Sequence, residues 1–242
     1  MATGESELPP RTSLLSDKGI LRHMKQGTII IEPFNNEHLS TSSYDVTLGP
    51  YYYRESRPEP GQGIYNPFSE AHVKKVWGDV LKAEKVSDWC KRNETKLDGI
   101  NDDDEVIWLG PGETILGHTN EFIGGRSTVT TMMKARSSLG RNFIEVCKCA
   151  GWGDVGFVNR WTMEVTNNSN HYSIPLVVGR RVAQIIFFDT EGIVGESYEE
   201  QDSKYQTSSD LDVLKDKWAP YQMLPKMYMD REVRRMKEKR EN

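Results

Sequence analysis

The sequence predicts a mainly β protein, a barrel or sandwich of many short strands with an N-terminal helix and a helical insertion. Two observations carry this. From Val106 to Asp189, short β-branched or alternating runs follow one another, punctuated by Gly110-Pro111-Gly112, Gly124-Gly125 and Val178-Gly179. Helix-like spacing of apolar residues is confined to the two ends and to one stretch between residues 69 and 89.

The elements follow in order. Residues 1–14 are polar and proline-bearing, and are expected to be disordered or draped. Ser16-Asp17 reads as a helix cap, Ile20, Leu21 and Met24 share one apolar face, and Gly27 is the stop. Thr28–Ile31 is a β-branched strand. Ser42–Leu48 is a second, with Tyr44, Val46 and Leu48 alternating against Ser43, Asp45 and Thr47, and Tyr51–Tyr53 resumes it after Gly49-Pro50. Residues 55–104 break the pattern and are read as an insertion: a Pro/Gly-rich run, a single helix over Ser69–Trp89 that contains Gly78, then an acidic loop. Further strands are expected at Val106–Leu109, Glu113–Leu116, Glu121–Ile123, Thr128–Met133, Phe143–Val146, Trp161–Thr166, Tyr172–Val178 and Arg181–Asp189. The main domain is expected over 15–195. Residues 196–242 read as a C-terminal tail, with a short helix at Leu211–Trp218 and a charged, solvated helix at Met229–Arg240.

Composition narrows the function. At 242 residues the chain can bury one sizeable core or two small ones. A net charge of −5 argues against a broad grip on nucleic acid, although a small anion needs only a local cationic pocket. No run approaches the roughly 18 apolar residues of a membrane span, and Met1–Pro10 carries two glutamates and no apolar core, so it is not read as a signal peptide. Three cysteines, an odd and sparse count, point to a reducing, cytoplasmic setting. Cys147 and Cys149 are placed on one face of a strand and read as half-buried thiols rather than zinc ligands, since no His or Cys pair stands nearby in sequence.

The chemistry concentrates between Lys134 and Asn167. Arg136-Ser137-Ser138-Leu139-Gly140-Arg141 sets two guanidiniums around two hydroxyls and a glycine, suited to phosphate oxygens as well as to a plain surface turn. Gly151–Phe157 is a turn with one carboxylate, Asp154. Trp161–Val165 alternates so that Thr162 and Glu164 share a face, and a glutamate held on a strand is a positioned base.

In order and residue type these segments resemble the dCTP deaminase family, trimeric relatives of the dUTPases with a β-clip type fold. The resemblance rests on Leu15–Ile20, Ile31–Phe34, Ser42–Gly49, Pro111–Glu113, Leu116-Gly117, Arg136–Arg141, Asp154–Phe157, Thr162–Glu164, Val182–Gln184 and Ser203–Gln206. It covers 15–53 and 106–206, not 55–104 or the residues after 206. It implies a dUTPase-like barrel and a hydrolase that deaminates dCTP to dUTP without zinc, for supply of dUMP. Glu164 matches the base that activates water against C4 of cytosine. Ser137 and Arg141 match residues that hold that water, the base and the phosphates, and Arg136, Ser138 and Gly140 match the phosphate cradle. Asp154 matches a carboxylate near the sugar, Thr162 and Gln184 match nucleotide contacts, and Tyr198 and Lys204 match tail residues that close over the triphosphate. It further implies a homotrimer with shared sites, and magnesium on the phosphates rather than on protein side chains.

The chemistry of the residues agrees with a zinc-free route. Zinc deaminases use His-x-Glu with Pro-Cys-x-x-Cys, and neither occurs here. Four departures stand out. Trp152 replaces the basic residue of simple deaminases and resembles bifunctional members, which go on to cleave dUTP to dUMP and pyrophosphate. Cys149 stands where threonine is usual, and Gly153 stands for a β-branched residue. The tail lacks the family's glutamine a few residues after Lys204 unless Gln206 substitutes. Two other readings remain: a dUTP diphosphatase without deamination, against which Glu164 speaks, and a catalytically silent nucleotide-binding regulator, against which Ser137, Arg141 and Glu164 together speak.

Overall fold

The structure, a computed structural model, describes residues 13–198, 200–201, 204–206 and 208–241. The expected disorder of the N-terminus therefore falls largely outside the described residues. In chain order the elements are α1 (Asp17–Gln26), β1 (Ile29–Glu32), β2 (Leu39–Ser40), β3 (Ser43–Thr47), β4 (Tyr51–Arg54), α2 (Glu70–Trp77), β5 (Leu81–Lys82), β6 (Glu84–Lys85), α3 (Val86–Asn93) and β7 (Glu105–Leu109). Then come β8 (Thr114–Gly125), β9 (Val129–Ala135), α4 (Ser137–Gly140), β10 (Ile144–Val146), β11 (Trp152–Gly153), β12 (Val158–Asn167), β13 (Ile174–Val177), β14 (Arg181–Asp189), α5 (Leu211–Lys217) and α6 (Arg231–Glu241).

The fold is mainly β, as expected. One sheet runs β10-β12-β8-β4-β5 with β1 added on β8, a second runs β11-β9-β14-β3-β2, and a third runs β13-β7-β6. Their inward faces meet in one apolar core that includes Ile29, Tyr44, Val46, Leu48, Ile115, Ile123, Met133, Ile185 and Phe187. Helix α1 closes one end and seats Ile20 in that core. Ser16 caps it by accepting from the Gly19 N–H, and Gly27 ends it in the left-handed region at φ 74°.

Two expectations need correction. The single helix over Ser69–Trp89 is two helices, because Gly78 leaves helical geometry at φ 60°, ψ −146° and two short strands intervene before α3. Trp89 of α3 then stacks on Trp108 of β7, with centroids 4.1 Å apart, which ties the insertion to the third sheet. The separate strands at 113–116 and 121–123 are one strand, β8. Its polar middle reads as a loop in sequence, yet His118, Thr119 and Glu121 are buried and paired. Glu121 accepts from the Thr47 N–H at 3.0 Å and from its hydroxyl at 2.8 Å, and the Thr119 hydroxyl donates to Glu121 O at 2.7 Å.

The C-terminal segment returns to the domain. Met223 is buried in a small cluster with Tyr53 and Leu116 on the outer side of the first sheet, and Val233 of α6 is also buried.

Candidate active site

Strand β12 supplies the floor of a cavity of about 310 Å³. Along it Arg160, Thr162 and Glu164 alternate with the buried Trp161 and Met163, so the three polar side chains share the cavity face. Opposite them on β8 stand Phe122, His118 and Leu116, with a register shift between Arg160 and Thr162.

Glu164 is the chemically distinctive wall residue. Burial raises its carboxyl above the ordinary range, partly offset by its own backbone N–H and the Lys148 ammonium. The Cys147 N–H donates to Glu164 O at 2.9 Å and fixes the strand there.

The segment after Val146 is not a strand. Cys147, Lys148 and Cys149 have φ of 67°, 36° and 69°, so the two thiols do not share a strand face: Cys147 is buried and Cys149 exposed. The Cys147 sulfur lies 3.1 Å from Met133 Sδ, and burial followed by the Glu164 charge pushes its thiol up to about 12. Among the described residues no group of three His, Cys, Asp or Glu side chains could hold a metal ion.

The turn between β11 and β12 forms the second wall. Asp154 is exposed and borders the cavity, as does Trp152, 56% exposed. The carbonyl of Gly153 accepts from the hydroxyls of Thr130 at 2.8 Å and Thr131 at 3.3 Å. A Cβ at Gly153 would lie 2.6 Å from the Trp161 ring, so the indole occupies the room of the usual larger residue. That indole donates to Ile123 O at 2.9 Å.

The third wall comes from the C-terminal part of the chain. Tyr198 sets its ring edge-on to Phe157 with centroids 5.2 Å apart, and its N–H donates to Val155 O at 2.8 Å. Tyr205, Trp218, Gln222 and Met223 also line the cavity. Gln206 is buried: it accepts from the Val158 N–H at 2.8 Å and donates to Gly156 O at 3.1 Å, so here it braces the turn. Lys204 pairs with Asp230 and does not line the cavity.

Of the residues singled out in sequence, Glu164, Thr162, Asp154, Trp152 and Tyr198 meet around the cavity. Arg136, Ser137, Ser138, Gly140, Arg141 and Gln184 do not line it. Arg136 Nε contacts Asp45 Oδ2 at 3.1 Å, beside Arg181, while Gln184 of β14 pairs in register with Asp45 and Lys134. Ser137, Ser138 and Arg141 are exposed, and their side chains have no hydrogen-bond or ion-pair partner among the described residues. Sequence reasoning missed Arg160, which extending the Thr162–Glu164 alternation by one step would have found. It also missed Trp218, for which a lone aromatic in a polar tail gave no signal.

Residues 14–190 match a dCTP deaminase-like domain. The chain belongs to that family. It is 31% identical over 212 residues to a dCTP deaminase, dUMP-forming, of Methanococcus maripaludis, covering 84% of this chain and 95% of that one. It is 32% identical over 176 residues to the enzyme of the same name from a Hydrogenobaculum species, covering 72% and 81%. A crystal structure of the 2'-deoxycytidine 5'-triphosphate deaminase from Agrobacterium tumefaciens shares the fold, with a TM-score of 0.51 at 16% identity, covering 77% of this chain and 51% of that one. The matched domain contains Glu164, Thr162 and Asp154, whereas Tyr198, Tyr205, Trp218, Gln222 and Met223 lie beyond residue 190.

Proposed function

We propose that this chain deaminates dCTP and carries the product on to dUMP. The observation that carries the reading is Glu164, a carboxylate of raised pKa on a rigid strand, beside Thr162 in the cavity wall. Ionised Glu164 takes a proton from water as the water oxygen bonds to C4 of cytosine, and the same proton leaves on the amino group as C4–N breaks and ammonia departs. Thr162 orients the base, and Asp154, at the mouth, holds the sugar or the water that attacks the α-phosphate of dUTP to release pyrophosphate. A half-buried base of raised pKa is a stronger proton acceptor than an ordinary carboxylate, and a positioned base is worth roughly 10²–10⁴-fold.

Several features support an assembly in which the phosphates are held across a subunit boundary. Within the Arg136–Arg141 turn, Ser137, Ser138, Gly140 and Arg141 are exposed, the turn lies away from the cavity of its own chain, and Ser137, Ser138 and Arg141 have donors to spare. We take the active form to be a homotrimer in which a neighbour's turn, with its Gln184, meets this cavity. Magnesium would enter with the triphosphate, where it would neutralise phosphate charge. Lys204 is free for the phosphates only if it leaves Asp230. Free cysteines and the absence, among the described residues, of a helix able to cross a membrane are compatible with a cytoplasmic enzyme.

The test is incubation with dCTP and magnesium, resolving dUTP, dUMP and pyrophosphate. Equal dUMP and pyrophosphate are expected. Accumulation of dUTP alone marks a simple deaminase, and unchanged dCTP overturns the reading.

A further inference from the structure

The side chain of Arg160 is held in an unusual way. Its guanidinium carbon lies 5.0 Å from the centroid of Phe122 and 4.6 Å from that of Trp218, so two aromatic rings pack against the cation. Its N–H edge has no hydrogen-bond or ion-pair acceptor among the described residues, and its Nε is both buried and unpartnered. A half-buried cation without an acceptor is costly, and such donors inside a protein are ordinarily satisfied. Arg160 borders the cavity in the same row as Thr162 and Glu164.

Trp218 is fixed from two further directions. Its ring lies 4.6 Å from that of His118, and the segment that carries it is anchored by Met223 against Tyr53 and Leu116. Aromatic packing on a guanidinium limits its rotamers while its N–H groups stay able to donate.

We propose that Arg160 is a substrate-contacting residue, donating from its terminal Nη groups to an acceptor oxygen of the bound pyrimidine nucleotide, and that Trp218 holds it in position. The inference rests on the reading of this cavity as the nucleotide site. The acceptor is a base carbonyl or a phosphate oxygen; both take a forked N–H pair.

The experiment measures equilibrium binding of dCTP, dCMP and deoxycytidine to the full-length chain in a Glu164→Gln background, in which deamination is slowed by about 10²-fold or more and binding is read before turnover. Adding Arg160→Gln is expected to weaken dCTP binding about 10- to 100-fold, the range of a lost charge-assisted hydrogen bond. An equal loss for deoxycytidine assigns the base carbonyl, and a loss confined to the phosphorylated ligands assigns a phosphate. Trp218→Leu is expected to give a smaller loss in the same direction. Arg160→Lys keeps the charge between the rings and removes the fork; it serves if the glutamine variant does not fold, and must still bind dCTP more weakly. Unchanged affinity with a lowered melting temperature would mean a purely structural arginine and overturns the proposal. No binding of any nucleotide by the Glu164→Gln chain alone overturns the functional reading as well.

Discussion

Gly153 and Trp161 share one space: the indole of Trp161 occupies the volume into which any side chain at Gly153 would project. A Cβ there would also meet Thr131 Oγ1 at 2.4 Å. Trp161 is buried and its N–H is committed to Ile123 O, so it cannot swing away without loss. Gly153→Val should therefore destabilise the fold by about 1–3 kcal/mol through overpacking, read from denaturant midpoints. Combining it with Trp161→Ile should recover part of that loss. Additive losses in the double variant would show that the two positions are independent.

His118 makes an acid-labile support beneath the cavity. It is wholly buried, its Nδ1 donates to Thr119 O at 2.9 Å, and its Nε2 accepts from the Tyr51 N–H at 3.3 Å. That pattern requires the neutral ring, and burial lowers its pKa from 6.5 to about 4. Unfolded His118 takes up a proton below 6.5 that the folded chain refuses until about 4, so this stability is present at neutral pH and lost as pH falls between those values. The loss amounts to about 3 kcal/mol. Melting temperature followed from pH 7 to 4 should fall more in the wild-type chain than in His118→Gln, and parallel curves would refute the assignment.

The parts of this molecule legible in sequence are those with local causes. Ser16 and Gly27 bracket α1 because caps are written in single residues, and β3 and β14 declare themselves by alternation. Strand β8 was divided because His118, Thr119 and Glu121 look like loop residues; only long-range partners, Thr47 above all, make them tolerable inside. At the candidate site, Glu164 and Thr162 were visible as one face of β12; Arg160 continues the same alternation, but a cation on a strand usually means solvent and gave no hint of the cavity. Its rings come from Phe122 and Trp218, far away in sequence, and no local pattern announces such contacts.

The C-terminal wall gives a further prediction. A chain ending after Gly195 loses the Gln206 brace, Trp218 and the Met223 anchor, and uncovers Leu116 and Tyr53. It should lose most turnover and melt lower, because removing buried Met223 contacts alone is worth about 2–5 kcal/mol. A chain ending after Asp230 keeps those contacts and should retain most activity. Full activity in the shorter chain would show that the wall has no part in catalysis.

Glu164 separates the two chemical steps. Glu164→Gln keeps size and hydrogen bonding but removes the base, so deamination should fall by about 10²-fold or more. Given dUTP directly, the same variant should still form dUMP, whereas Asp154→Asn should impair both reactions through the shared sugar contact. The pH behaviour adds an independent check. Burial raises the Glu164 pKa, so wild-type deamination should fail on acidification above the ordinary carboxylate range, as the base becomes protonated. The stability effect runs the other way. A carboxyl whose folded pKa exceeds its unfolded value stabilises below the unfolded pKa, and that contribution is lost as pH rises through the folded one. Glu164→Gln should consequently melt higher than wild type at neutral pH, with the difference vanishing in acid. A variant that deaminates at wild-type rates, or that shows no pH-dependent gain in melting temperature, would remove Glu164 from the role of buried base.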